Sequence, residues 1–326
     1  VITIGDLVVD LITAVTFPIQ PGHVVMTQPA QLEPGGACNF AIAAARLGLE
    51  VSVMGAPGDD IYGKLLMDVL TAEGVNTGLV RQQTGARTTL VQVLADPVAL
   101  TQTYISSHVT TPGAYPFDEN VRKVVNQARA LYVQGYALCE DYLWEVTREA
   151  MRTAKKSQIP IYFDPSPMFV DAQPRRKNIT LDQADVLLIT EDELPLLDPT
   201  GQVTTPDALC DLILQKRNVH TIVVKQGAKG CRVVRWTRNG QYWKNGQDFP
   251  AFPVKAIGSS GAGDAFNAGY VAGRLHGWSV ENAAQLANAV GAAKVTKLGG
   301  GRNVPTRQQV SDLLKANNVT VSFEGW

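Results

Sequence analysis

Short runs of β-branched and aliphatic residues recur along this chain, and most are followed by a stretch with helical spacing. They are VITI at 1–4, VSVMGA at 51–56, ALYVQG at 130–135, IPIYFD at 159–164, DVLLIT at 185–190 and HTIVVKQG at 220–227. Runs that are apolar on both faces and alternate with helices predict an α/β fold with a mostly parallel sheet covered on both sides. NFAIAAARLG (39–48) is a small-residue helix closed by Gly48, and DAFNAGYVAGRLHG (264–277) is apolar nearly all round and closed by Gly277. Both helices are expected to be buried.

Two segments depart from this rhythm. Residues 11–34 (LITAVTFPIQPGHVVMTQPAQLEP) and 88–106 (TTLVQVLADPVALTQTYIS) are β-rich, carry Pro and Gly turns, and lack a helix. They predict hairpins that project from the main sheet as a small lid. CRVVRWTRNGQYWKN (231–245) predicts a further hairpin around Asn239-Gly240. No internal repeat, low-complexity tract or linker divides the chain, so residues 1–326 are read as one domain with the lid inserted in it.

Composition narrows the partners. The chain has 326 residues, 45% of them hydrophobic, enough for a well-buried core. Lys and Arg number 29 against 30 Asp and Glu, and the formal net charge of -1 gives no overall field for nucleic acid or an anionic membrane. The opening VITIGDLVVDLITAV lacks a basic flank and carries Asp6 and Asp10, so it reads as a strand rather than a signal peptide. No stretch approaches the roughly 18 uninterrupted apolar residues of a membrane span, and a soluble protein is expected. Cys38, Cys139, Cys210 and Cys231 are scattered, and His23, His108, His220 and His276 do not cluster with them, which fits a reducing cytoplasm and no zinc site.

The candidate chemistry lies in glycine-rich stretches. In IGSSGAGDAFNAG (257–269) glycines precede a helix and one carboxylate, Asp264, follows them. Backbone N–H groups at a helix N-terminus make an anion site, although Asp264 is equally explained as an acid favoured by the helix dipole. In GGACNFAIAAARLGLEVSVMGAPGDDIYG (35–63), Gly35 and Gly36 permit close backbone approach. Asn39 there offers a donor and an acceptor to a hydroxylated ligand, or else caps its helix. Asp10 in GDLVVDLI is read at the end of the first strand, where α/β sheets bind ligands, and can accept from sugar hydroxyls. GDDIYGKL (58–65) nearly spells a P-loop, but Leu65 cannot ligand magnesium and Asp59-Asp60 would repel phosphate. Those adjacent acids are also unsuited to a glycosidase pair, which must face one bond from two sides.

Taken in order, GGACNFAIAAARLG with GDDIYG, KQGAKG (225–230) and SSGAGDAFNAG resemble the two signature regions and the nucleotide loop of the ribokinase-like (PfkB) carbohydrate kinases. The likeness spans almost the whole chain. It implies a three-layer sandwich with a β-lid closing over a sugar, and ATP-dependent phosphorylation of a primary hydroxyl of a monosaccharide, as in fructokinases and ribokinases. By this resemblance Gly261, Ala262 and Gly263 match the anion hole and Asp264 the catalytic base. Asp10, Gly35, Gly36 and Asn39 match the sugar site, Lys225, Gly227 and Gly230 the nucleotide loop, and Asn288 and Ala292 the adenine wall. Glu193 falls at the acid of the family's Asn-x-x-Glu motif, which holds Mg2+ through water; a solvated acid at a helix start is the other reading.

The chain also departs from the family pattern. Gly258 stands where an Asp usually helps bind a monovalent cation, which puts potassium activation in question. Thr190 replaces the Asn of Asn-x-x-Glu, and Ser166 stands where an Asn is common. Two other functions stay open: a nucleoside kinase of the same family, with Val15, His23 and Tyr104 around a base, and a catalytically silent sugar or nucleotide sensor. An exposed lid edge would also allow pairing into a homodimer.

Overall fold

The computed structural model describes residues 1–107, 113, 115–198, 200–203, 205–235 and 246–319. Its strands are β1 (Ile2–Ile4), β2 (Leu7–Ala14), β3 (Gln31–Gly36), β4 (Ser52–Met54), β5 (Leu90–Asp96), β6 (Thr101–Ser106), β7 (Leu131–Gln134), β8 (Ile161–Asp164), β9 (Val186–Thr190), β10 (Thr221–Lys225), β11 (Cys231–Arg235) and β12 (Gln247–Phe249). Its helices are α1 (Ala37–Arg46), α2 (Ile61–Ala72), α3 (Glu119–Gln127), α4 (Tyr136–Cys139), α5 (Asp141–Lys156), α6 (Pro174–Gln183), α7 (Pro206–Lys216), α8 (Ala262–Leu275), α9 (Val280–Val295) and α10 (Arg307–Ala316). All six predicted runs contain a strand. The chain forms two compact units, one of Val1–Asp6 with Gly113–Ala251, the other of Leu7–Pro112 with Phe252–Trp326.

In the first unit the strands lie in the order β12-β11-β10-β9-β8-β7-β1. Pairing is parallel from β1 through β7, β8 and β9 to β10, then antiparallel to β11 and β12. Every residue of β7, β8 and β10 is buried, as expected of a parallel sheet with helices on its faces. β11 does turn back through β12, but the Asn239-Gly240 turn lies outside the described residues. The N-terminal run is not one strand. Gly5 and Asp6 interrupt it, so β1 joins this sheet while β2 belongs to the second unit, and the Tyr142 hydroxyl donates to Asp6 Oδ1 at 3.4 Å.

The second unit holds a four-stranded sheet in the order β3-β2-β5-β6. β5 and β6 form the hairpin expected within 88–106, while 11–34 contributes the end of β2 and the start of β3 across an irregular connection. Helices α1 and α8 are buried as their composition predicts. Helix α8 meets α9 closely because it carries glycines at the contact: a Cβ at Gly269 would lie 3.0 Å from Ala287 Cα, and one at Gly273 would lie 2.9 Å from Ala283 Cα.

GDDIYG has a structural role in this unit. Asp60 caps α2, accepting from Gly63 N at 2.9 Å and from the Thr88 hydroxyl at 2.8 Å, and its second oxygen accepts from Thr88 N at 2.9 Å. Burial would raise its pKa, but the bonds from Gly63 and Thr88 outweigh burial and lower it. A carboxylate whose folded pKa is depressed stabilises the fold above the ordinary aspartate range, and that stability is lost as pH falls through the folded value. Asp60→Ala is therefore expected to destabilise the protein by about 1–2 kcal/mol at neutral pH, with a smaller deficit in acid. Urea midpoints for both proteins at pH 7 and pH 3 measure the difference.

Candidate active site

The geometry in the second unit begins at Gly261, which takes the left-handed conformation (φ 73°) as N-cap of α8. A side chain is disfavoured there, and the turn sets Asp264 in the first turn of the helix. Ala262 N–H donates to Ser259 O at 3.0 Å and so holds the turn itself. Among the described residues, the N–H groups of Gly261 and Gly263 donate to no protein acceptor, leaving two amides at a helix N-terminus for an anion.

Asn39 is not a helix cap. Helix α1 is capped by Gly36, without a side-chain bond, and Asn39 points elsewhere. Its Nδ2 donates to Asp264 Oδ2 at 3.1 Å, while its Oδ1 accepts from Gly301 N at 2.7 Å. One amide thus joins the acid of α8 to the glycine turn after α9. Packing is tight: a Cβ at Gly300 would fall 2.3 Å from Asn39 Oδ1.

Asp10 lies in the middle of β2, not at the end of the first strand, because the chain breaks at Gly5-Asp6. It is buried, and Gly35 leaves room for it, since a Cβ there would sit 2.4 Å from Asp10 Oδ1. In register with Asp10, on antiparallel β3, is a second buried acid, Glu33. Like charges opposed across a ladder repel. Arg302 answers Glu33: its Nε and backbone N donate to Glu33 Oε2 at 3.0 and 2.9 Å, and its Nη2 donates to Oε1 at 3.0 Å. Among the described residues no cation pairs with Asp10 in this way, and burial, then Asp264, then Glu33 push its pKa up to about 7. From β6 the Tyr104 hydroxyl is hydrogen-bonded to Ser260; burial of that end, opposed by this bond and aided by Asp10 and Asp264, holds its pKa at about 12.

Sequence reasoning missed Glu33 and Arg302. Their signal was a single charge inside each of two glycine-rich stretches, LEPGG and LGGGRN, and only the register of β2 with β3 gives those charges meaning.

The first unit holds a separate cluster. Lys225, at the end of β10, donates to Asp164 Oδ2 at 3.0 Å, and the Tyr132 hydroxyl reaches the same oxygen at 3.4 Å. Glu193 is buried rather than solvated. It closes a capping box with Thr190, accepting from Thr190 N at 3.0 Å, which gives the replacement of Asn by Thr a local reason. Burial first and Asp164 second raise its pKa, against Lys225 and the Thr190 bonds. Ser166 N donates to Asp164 Oδ1 at 3.1 Å. Gly227 and Gly230 bracket a 3-10 turn at positive φ, 56° and 100°, with Gln226 N donating to Gly230 O at 2.8 Å. Asn288 and Ala292 lie one turn apart on α9 in the second unit, both buried. Among the described residues no group of three or more His, Cys, Asp or Glu side chains could cage a metal. A water-retaining ion such as Mg2+, needing only one or two carboxylates, fits Glu193 better than a dehydrated one.

Comparisons with known proteins agree on one family. The profile described as pfkB family carbohydrate kinase matches residues 1–307. The probable fructokinase-4 of Arabidopsis thaliana is 27% identical, over 97% of this chain and 97% of its own. The ribokinase of Bacillus subtilis (strain 168) is 27% identical, over 95% of this chain and 98% of its own. Among solved structures, a putative ribokinase II from E. coli in complex with ATP and Mg2+ superposes with a TM-score of 0.82 at 22% identity, covering 97% and 98% of the two chains. Fructokinase with bound ATP from Xylella fastidiosa gives 0.79 at 23%, covering 98% of each chain. These structural likenesses establish a ribokinase-like α/β fold.

The raised pKa of Asp10 has a measurable consequence. The folded state holds a proton between the ordinary value of 3.8 and about 7, so stability falls as pH rises across that window. Ionised Asp10 then costs at most about 4 kcal/mol. Asp10→Asn is expected to melt at a higher temperature than the wild type at pH 8, with the two curves converging near pH 4. Thermal melts across this range, without ligand, test it.

Proposed function

The chain belongs to the pfkB family of carbohydrate kinases, and we propose that it transfers the γ-phosphoryl group of ATP to a primary hydroxyl of a monosaccharide of the fructose or ribose class. The observation that carries this reading is the Asn39 bridge, which holds Asp264 at the start of α8 beside the amides of Gly261 and Gly263, for which the described residues offer no acceptor. The attacking hydroxyl oxygen forms the new P–O bond, the bond to ADP breaks, and Asp264 accepts the hydroxyl proton. The Gly261 and Gly263 amides meet charge on the phosphoryl oxygens, while the Ala262 amide keeps the turn in shape. Asp10 and Asn39 bind sugar hydroxyls, with Gly35 leaving the space that the Asp10 carboxylate occupies and Gly36, at a φ of 58°, turning the chain into α1.

Lys225, Gly227, Gly230, Asn288 and Ala292 are assigned to the nucleotide, and Glu193 to Mg2+ through water, where the ion would neutralise phosphate charge. Segments 11–34 and 88–106 are assigned to a lid over the sugar. That surface exposes Val24, Met26, Val98, Leu100 and Ile105, apolar side chains suited to pairing in a homodimer. Among the described residues no helix is long and apolar enough to cross a membrane. The proposed location is cytoplasmic, a reducing compartment in which the four cysteines stay free thiols. The nucleoside reading is less well supported, because Val15 is buried and the Tyr104 hydroxyl is engaged with Ser260.

Asp264→Asn is expected to lower kcat roughly a thousandfold while nucleotide affinity changes less than about threefold, since a base acts in the transition state. ADP release with magnesium-ATP over ketoses, aldoses, sugar acids, sugar phosphates and nucleosides, in sodium and then potassium, identifies the acceptor. Near-normal turnover of Asp264→Asn would remove the acid from its role, and tight sugar binding with no ADP formed would favour a sensor.

A further inference from the structure

Lys294 is the one lysine of α9, and it is fully buried, at 0% exposure. Its Nζ donates to Lys297 O at 3.1 Å, and among the described residues no carboxylate pairs with it. A lysine in the last turn of a helix gains from the dipole, but a solvated ammonium gains the same without desolvation. Burial therefore asks for another reason, and the surroundings supply one. The turn that Lys294 anchors is the one that backs the glycine loop. Ile257 N and Gly258 N both donate to Val295 O, at 2.7 and 3.2 Å. A Cβ at Gly258 would lie 3.5 Å from Lys297 O, the atom that Lys294 holds, and one at Gly261 would lie 3.3 Å from Gly300 Cα. Gly301 N then donates to Asn39, which donates to Asp264.

We infer that Lys294 is a positioning residue: a built-in cation that, by holding the Lys297 carbonyl beside the side-chain-free position 258, keeps turn 295–301 against the loop of Gly261 and Gly263 and so keeps Asn39 and Asp264 in place. This rests on the phosphoryl-transfer reading above. The charge is poised near neutrality, because burial and then the Lys297 ammonium lower the Lys294 pKa to about 8. Lys297 is the charged group that faces it, and is itself tied to Gln309 Oε1 at 3.2 Å.

The test has three arms. In the wild type, kcat at saturating magnesium-ATP and sugar is expected to fall above about pH 8 with KM little changed; in Lys297→Ala the fall moves to higher pH, because the opposing ammonium is gone. In Lys294→Met, kcat at pH 7 is expected to drop at least tenfold with KM within threefold, while the melting temperature is unchanged or higher, since a buried charge has been removed. Amide hydrogen exchange of 257–264 is expected to quicken in Lys294→Met, a readout that needs no turnover. A flat profile to pH 10, a limb that vanishes rather than moves in Lys297→Ala, unchanged kcat in Lys294→Met, or unchanged exchange each overturns the inference. If Lys294→Met does not fold, the wild-type and Lys297→Ala profiles decide. A wild type that phosphorylates no acceptor refutes the kinase reading instead, and the exchange arm then judges the positioning role alone.

Discussion

Everything in the candidate site turns on a single side-chain amide. Asn39 donates to Asp264 with one end and accepts from the Gly301 amide with the other, so helix α1 links the start of α8 to the turn after α9. An aspartate could not do this, because its carboxylate has no donor for Asp264, and a leucine of the same size would remove both of these hydrogen bonds. Gly300 follows from the same contact, because a Cβ there would meet Asn39 Oδ1, whereas a Cβ at Gly301 would meet Glu33 and the Pro34 carbonyl. Gly261 answers to its left-handed φ of 73° and to the nearby Gly300 backbone.

That arrangement gathers acids. Asp10 lies in the field of both Asp264 and Glu33, and Arg302 pairs directly with Glu33. The result is a division of labour by environment. Glu33 is locked in a forked pair, Asp264 is held by an amide, and Asp10 is left close to half-protonated near neutral pH. A group in that state can accept or donate to a hydroxyl, which suits a neutral polyol better than an anionic one. The strain of three neighbouring acids is the kind of cost that binding sites carry and cores do not.

The cluster of the first unit follows a different principle. Lys225 and Asp164 form a buried pair, and Glu193 stands close enough for Asp164 to raise its pKa. Breaking such a pair from one side is costly, because the remaining charge stays buried. Thr190 shows how a departure from a family pattern is absorbed locally. Its hydroxyl and backbone complete a capping box with Glu193, so the acid keeps a fixed position with a different neighbour.

Much of the fold was legible in the chain, since apolar runs without alternation identify buried parallel strands, and glycine-closed small-residue helices identify buried helices. The glycine loop, Asp264 and Asn39 were legible as candidates because their residue types are rare in such company. The break of the first run at Gly5-Asp6 was not, as a Gly-Asp pair reads equally well as a strand irregularity or as a change of sheet. Glu33, Arg302 and Lys294 were not legible either. Their roles depend on which residue lies opposite across a ladder or beneath a turn, and those distances join positions more than 250 residues apart for Glu33 and Arg302. Sequence by itself determined the class of fold and the inventory of reactive groups, since periodicity and residue chemistry are local properties. Tertiary structure alone decided which acid is paired, which is exposed to its neighbours' charge and which cation is buried, because electrostatic energy depends on separation in space and on access to water.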